Sequence, residues 1–239
     1  MSTQSKDCIH KGHRDRMKER FLANGFNGFS KHEIMEFVLF FAIPQGNVNP
    51  LAHDLINRFG NITGILTAGI KDILSVKGIG YHSAIFLKMI PELFKVFRME
   101  QYEGTKKPIK FDDVEFMGRY FTDFYTGAEV ETASVALLNE KFELITVIML
   151  SDGNVNACPV MKQTINNLII KHNAKVFVIA HNHPDGNPEP SEADCISTSS
   201  LEFAFKDLGV PMYEHIIVAG SKWYAVNKRI GGDCFRADE

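Results

Sequence analysis

The chain has 239 residues, 45% of them hydrophobic, which is enough for a sizeable core in one large domain or two small ones. No apolar run approaches the roughly 18 residues of a membrane span. Four cysteines without CxxC spacing argue against a disulfide framework and against a thiolate zinc site. Because the first twenty residues are polar and basic, we expect a soluble, cytoplasmic protein without a membrane partner.

The net charge of −3 is unevenly distributed along the chain. Residues 1–110 contain 16 basic and 10 acidic side chains, whereas residues 111–239 contain 10 basic and 19 acidic ones. This asymmetry predicts separate roles for a basic half and an acidic half.

The first half of the chain predicts a series of helices. Ser30 and Glu33 have the spacing of a capping box ahead of an apolar run, and Pro44 ends that run. Gly25 and Gly60 are expected to stop two further helices. The predicted helical segments are residues 14–22, 34–43, 50–59, 70–76 and 81–98.

The turn between the last two helices carries Lys77, Gly78 and Gly80, and it resembles a helix-hairpin-helix motif. Two glycines let the backbone turn tightly and approach a phosphate, and the N–H groups of the next helix then point at the anion. Lys77 adds a positive charge. The resemblance implies weak, non-specific binding of double-stranded DNA. The alternative is a turn that only joins two packed helices.

A polar stretch at residues 101–112 contains Gly and Pro and predicts a domain boundary. We expect a helical domain over residues 1–105 and a second domain over residues 111–239. Strands and helices interleave in the second domain, which predicts a mixed α/β fold. Its strands are expected at 132–138, 142–150, 175–180, 212–218 and 223–226, and its helices at 114–125, 160–172 and 193–208.

A possible metal site follows the strand predicted at 175–180. His181 and His183 are two residues apart, so on a strand both imidazoles point to the same side. A turn follows, and Ser191 then opens a helix that brings Asp194 back toward the histidines. Two nitrogens and one oxygen leave a fourth tetrahedral position for water, the pattern of a catalytic zinc site. Helix capping alone is the competing explanation for Ser191 and Asp194.

This spacing of His181, His183, Ser191 and Asp194 resembles the JAB/MPN (JAMM) metalloprotease motif. With the surrounding prolines, residues 181–194 are also similar to the RadC family, the UPF0758 type of protein, and the likeness extends over residues 11–226. The resemblance implies a JAB/MPN-like mixed curved sheet flanked by helices, preceded by a small all-α helix-hairpin-helix domain. It also implies that His181, His183 and Asp194 bind Zn²⁺ and that Ser191 donates a hydrogen bond to the oxyanion.

In JAB enzymes a glutamate on an upstream strand acts as the general base, and three candidates stand here, namely Glu129, Glu131 and Glu140. We choose Glu131 because it directly precedes the apolar segment 132–138. Glu140 lies in the turn after that segment, where a solvated charge is expected. We interpret His215 as a buried, hydrogen-bonded strand residue rather than a fourth ligand.

The function implied is a zinc-dependent metallohydrolase, a JAMM-type metalloprotease that cleaves peptide or isopeptide bonds of a peptide or protein substrate. Two alternatives stay open. One is a DNA-associated repair or recombination factor whose metal site is structural, and the other is a zinc-dependent nuclease. The acidic charge of residues 111–239 argues against nucleic acid in the metal site, because acidic surfaces repel phosphates.

Overall fold

The computed structural model describes residues 12–104, 107–150 and 158–227. Their contacts divide the chain into two units, Met1–Leu93 and Phe94–Glu239, and the division falls within a long helix. The domain bounds expected from the sequence stay a prediction, and residues 105–106 of the predicted linker lie outside the described residues.

All the regular secondary structure in the described part of the first unit is helical. Arg14 links the first helix to the end of the second, because its guanidinium donates to the carbonyl oxygens of Phe40, Ile43, Pro44 and Gly46 at 2.7–3.3 Å. The helices are α1 (His13–Asn24), α2 (Lys31–Ala42), α3 (Asn49–Phe59), α4 (Ile62–Thr67), α5 (Ile70–Leu74) and α6 (Tyr81–Glu103), the last of which continues into the second unit.

Capping chemistry explains where several of these helices begin and end. Ser30 accepts a hydrogen bond from the backbone of Glu33, whose side chain accepts one from the backbone of Ser30, so the predicted capping box is confirmed. Gly25 and Gly60 are the C-caps of α1 and α3, as predicted. Helix α4, capped by Asn61, was not predicted from the sequence, and α6 extends five residues beyond its predicted end.

The second unit contains a five-stranded mixed sheet, so the predicted α/β class is confirmed. The strand order is β2-β1-β3-β4-β5, in which β3 and β4 are parallel and the other neighbours are antiparallel. The strands are β1 (Ala133–Leu138), β2 (Leu144–Leu150), β3 (Val176–Asn182), β4 (Met212–Ala219) and β5 (Lys222–Ala225), and the helices are α7 (Val114–Phe124), α8 (Cys158–His172) and α9 (Glu192–Lys206).

Helices cover both faces of this sheet. Val178 and Ala180 of β3 belong to the apolar cluster formed with α7, whereas Phe177 and Ile179 belong to the cluster formed with α8 and α9. Side chains alternate along a strand, so His181 of β3 points to the α9 side of the sheet. The register pairs Ile179 with His215 of β4, which places His215 on that side too.

Within the described ranges of the chain, no helix combines the length and the apolar character needed to cross a membrane.

Candidate metal centre

The two histidines lie at the carboxyl end of β3, the central strand of the sheet. His181 is the sixth residue of the strand, and His183 directly follows it. Their Nε2 atoms are 2.9 Å apart. The expectation that the two imidazoles share one side of the strand end is therefore confirmed.

Asp194 reaches the same place from the first turn of α9. One carboxylate oxygen lies 3.3 Å from Nε2 of His181, and the other lies 3.5 Å from Nε2 of His183. Ser191 holds the carboxylate with its backbone N–H at 2.8 Å and its hydroxyl at 2.6 Å, and it accepts a hydrogen bond from the Asp194 backbone at 3.2 Å. This capping box orients the carboxylate, so capping and a functional role coexist at these residues.

The hydrogen bonds of Asp194 also favour its charged form. Burial by itself raises the pKa of this carboxyl group. The hydrogen bonds from Ser191 and the nearby imidazole of His181 together lower it by more, so the net pKa lies below its usual range. Asp194 is therefore a carboxylate anion next to two imidazoles over the neutral pH range.

A backbone carbonyl determines which ring nitrogen of His183 carries the proton. Nδ1 of His183 lies 2.8 Å from the backbone oxygen of Asn187. Since a carbonyl oxygen can only accept, Nδ1 donates this hydrogen bond, and in an uncharged imidazole the lone pair is then on Nε2. The turn after β3 thus leaves His183 with the nitrogen that faces Asp194 available to a cation.

His181 is buried, and its other nitrogen is also engaged. Nδ1 of His181 lies 2.8 Å from Nε2 of His215, whose Nδ1 lies 2.6 Å from the hydroxyl of Thr198 on α9. Burial lowers the pKa of His181 to about 4 and that of His215 to about 3, so both imidazoles are neutral at neutral pH. His215 is a buried, hydrogen-bonded strand residue, as predicted.

Glu131 lies near the imidazole pair. A carboxylate oxygen of Glu131 and one nitrogen each of His181 and His183 all lie within 4.8 Å of one another, a grouping that could hold a metal ion. Asn182 fixes the chain on both sides of Glu131: its side chain accepts from the N–H of Thr132 at 2.9 Å and donates to the carbonyl of Val130 at 2.9 Å.

Two carboxylates thus lie close to the imidazoles, and they differ in burial and in hydrogen bonding. Asp194 is largely buried and held by Ser191. Glu131 is exposed, and its carboxylate accepts no hydrogen bond from the residues that the structure describes. A fixed carboxylate suits a metal ligand, whereas an accessible one suits proton transfer.

Asn182, Thr198 and His215 complete this site, and sequence reasoning assigned a structural place only to His215. Asn182 stands inside the His-x-His pattern, so its position was a signal that could have been used. Thr198 offered no such signal, because a threonine one turn after Asp194 is an ordinary helix residue.

Lys77, Gly78 and Gly80 of the hairpin in the first unit are all exposed. Gly78 has a φ of 101°, a conformation that suits glycine, whereas Gly80 has open space around the position of a Cβ atom and needs no positive φ. Lys77 is exposed on the turn. Lys88 is occupied within the unit, since its ammonium donates to the carbonyls of Leu66 and Ala68 at the C-terminal end of α4, both at 3.0 Å.

Comparison with known proteins adds a family. The family model described as "RadC-like JAB domain" matches residues 111–231. A UPF0758 protein of Fusobacterium nucleatum is 29% identical over 220 residues, which are 90% of this chain and 95% of that protein. A UPF0758 protein of Ruegeria pomeroyi is 30% identical over 209 residues, which are 87% of this chain and 92% of that protein. The matched region contains the whole candidate metal centre.

Proposed function

The chain belongs to the RadC-like JAB domain family, and from that premise we propose that it is a zinc-dependent metallohydrolase, a JAMM-type metalloprotease that cleaves peptide or isopeptide bonds. One observation carries the proposal, namely the convergence of two imidazole nitrogens 2.9 Å apart on the carboxylate of Asp194. A peptide or protein is the expected substrate.

The donor set fits zinc. His181, His183 and Asp194 offer two nitrogens and one carboxylate oxygen, which are the ligand types of catalytic zinc sites with an open fourth position. With its proton on Nδ1, His183 turns a bare lone pair toward the neighbouring imidazole nitrogen and the carboxylate. Such a concentration of electron-rich atoms favours a bound cation.

In the proposed hydrolysis, the zinc ion and Glu131 have different roles. A bound zinc would polarise the scissile carbonyl and lower the pKa of water toward about 7. Glu131 accepts a proton from the attacking water and delivers it to the leaving amine, which an exposed carboxylate without a hydrogen-bond donor can do.

Ser191 is proposed to stabilise the tetrahedral oxyanion. Its hydroxyl lies 2.6 Å from Asp194 and donates to that carboxylate. In the proposed role the hydroxyl rotates to the developing oxyanion when substrate is bound. Asp194 keeps the hydrogen bond from the Ser191 backbone throughout, so the carboxylate stays oriented.

Local charge argues against the nuclease alternative. Residues 181–194 contain four acidic side chains and no lysine or arginine. An anionic phosphodiester would approach such a surface against electrostatic repulsion, whereas a neutral amide would not.

The exposed hairpin supports a second activity, weak binding of double-stranded DNA by the first unit. Its specific support is Gly80, whose Cβ position is open and whose φ any residue adopts, so packing does not require glycine there. Close approach of a phosphate to the N–H groups at the start of α6 would require it.

A paired assay tests the main proposal. Purified protein is supplied with zinc and incubated with a peptide library and with labelled DNA, each in the presence and absence of a chelator. Chelator-sensitive peptide cleavage supports the metalloprotease. Cleavage of DNA alone favours the nuclease, and zinc binding without cleavage of either favours a structural metal.

A further inference from the structure

Thr198 makes two short hydrogen-bond contacts, one to the backbone of its own helix and one to His215. Its Oγ1 lies 2.6 Å from the backbone oxygen of Asp194, four residues earlier on α9. The same atom lies 2.6 Å from Nδ1 of His215. The first contact alone is common for threonine in helices, but the second joins α9 to strand β4 beneath the metal centre.

These two distances determine where the hydroxyl proton lies. The Asp194 carbonyl carries no proton, so a 2.6 Å separation between two oxygens requires the proton of Thr198 to lie between them. A hydroxyl has only one proton. Thr198 must therefore accept a hydrogen bond from His215, which places a proton on Nδ1 of His215.

The same reasoning assigns the proton of His181 in the metal centre. His215 is buried, where an uncharged imidazole is favoured, and an uncharged imidazole with its proton on Nδ1 has Nε2 as an acceptor. Nδ1 of His181, 2.8 Å away, must then be the donor. The proton of His181 is held on Nδ1, and its Nε2 has a free lone pair directed toward His183 and Asp194.

We propose that Thr198 is a positioning residue of the metal centre, acting through His215 to fix the tautomer and the ring orientation of His181. This inference takes only the identity of the metal ion, zinc, from the function proposed above. Thr198 and His215 are both buried, so the proposed role is exerted through His181. The two histidines of the motif are thus set by different partners: the turn at Asn187 orients His183, and the contact between α9 and β4 orients His181.

We call the chain of hydrogen bonds from Thr198 through His215 to His181 the relay. The matched variants Thr198→Val and Thr198→Ser test it. Valine keeps the volume and removes the hydroxyl, whereas serine keeps the hydroxyl. In the metal-free protein near pH 7, the ¹⁵N chemical shifts of the imidazole nitrogens report the tautomer directly. We expect His181 to carry its proton on Nδ1 in the wild type and in Thr198→Ser, and to populate both tautomers in Thr198→Val.

Zinc affinity is the second measurement, made by competition with a chromophoric chelator. Loss of a direct outer partner of a ligand commonly weakens metal binding by about 10- to 100-fold. Because Thr198 acts through His215, Thr198→Val should bind zinc more weakly than the wild type by about 10-fold, the lower end of that range, and Thr198→Ser should recover most of the loss. If valine prevents folding, as judged by circular dichroism, Thr198→Ala replaces it.

The outcomes separate this proposal from the proposed function. A variant without the hydroxyl that keeps the wild-type tautomer of His181 overturns the relay, as does one that keeps the wild-type zinc affinity. If the tautomer changes as expected but the wild type itself binds no zinc, the relay stands and the zinc hydrolase proposal fails.

Discussion

The side chain of Asn182 holds Thr132 with two hydrogen bonds to a single oxygen, one from the Thr132 backbone N–H at 2.9 Å and one from its hydroxyl at 3.0 Å. Asn182 lies between the two histidines of the motif, and Thr132 directly follows Glu131. The proposed base is therefore attached to the proposed ligands through one buried amide.

Asn182→Ala should separate zinc binding from turnover. The substitution frees the segment around Glu131 without removing a ligand, so zinc content should be unchanged. Because small misplacements of a catalytic group are costly, hydrolysis of a peptide that the wild type cleaves should fall about 100-fold. Unchanged kcat in a folded variant would show that Asn182 does not position the base.

One zinc per chain is expected in the purified protein, and His183→Ala should abolish it, because two remaining ligands hold the ion poorly. Metal analysis by mass spectrometry measures the stoichiometry. His53→Ala is the matched control, since His53 is exposed on α3 in the other unit. Full zinc occupancy in both His181→Ala and His183→Ala would contradict the ligand assignment.

Glu131→Gln should retain zinc and lose hydrolysis, because an amide cannot take the proton of the attacking water. A loss of about 100-fold or more in kcat is expected. Glu140→Gln is the control, since Glu140 is exposed in the turn between β1 and β2. Loss of zinc in Glu131→Gln would instead make Glu131 a ligand, and a dead Glu129→Gln or Glu140→Gln with an active Glu131→Gln would move the base elsewhere.

The hairpin should bind double-stranded DNA without sequence preference and release it as salt rises. Lys77→Glu should weaken binding and reduce the slope of log K against log salt concentration by about one. Gly80→Val should also weaken it while leaving the fold intact, since nothing lies within 4 Å of the position of the new Cβ atom. Gel retardation at low salt measures both, with Lys31→Glu as a control on an exposed lysine elsewhere in the unit. No retardation of DNA by the wild type would remove this activity.

Glu33 should make the stability of the first unit depend on pH. The hydrogen bond from Arg20, together with those from Ser30, lowers the pKa of Glu33 to about 2 from its ordinary 4.5. A lowered pKa means that the stabilisation is present above the ordinary value and is lost as the pH falls through about 2.

Glu33→Gln removes this titration while keeping the shape of the capping box. The variant should be less stable than the wild type by about 1 kcal/mol at pH 7, and by roughly half of that or less at pH 3. Urea unfolding followed by circular dichroism measures the difference, because the only tryptophan, Trp223, lies in the other unit. An equal difference at both pH values would contradict the expectation.

Local chemical signals made much of the fold predictable. The Ser30–Glu33 box and the stops at Gly25 and Gly60 act within a few residues, so the sequence carries them directly. Helix α4 was missed because it has only six residues, among them Gly64 and β-branched residues with low helix propensity. Its stability comes from packing, such as that of the fully buried Ile65.

In the candidate site, too, the residues set by local spacing were predictable and those set by tertiary contacts were not. His181, His183, Ser191 and Asp194 lie within 14 residues, so their spacing alone was informative. The contacts of Asn182 and His215 depend on the register of β3 with β1 and β4, which pairs Ala133 with His181 and Ile179 with His215. Register is set by burial over whole strands, and no short pattern encodes it.

The parallel pairing of β3 with β4 has a consequence for how the protein assembles. Parallel neighbours need a crossover connection, which here runs through α9, and such non-local pairings form slowly. During synthesis, the segment 181–194 therefore emerges and can meet a metal ion before His215, 34 residues after His181, docks beside it. Full affinity should develop only at that last step, and a bound ion should in turn slow the detachment of β4.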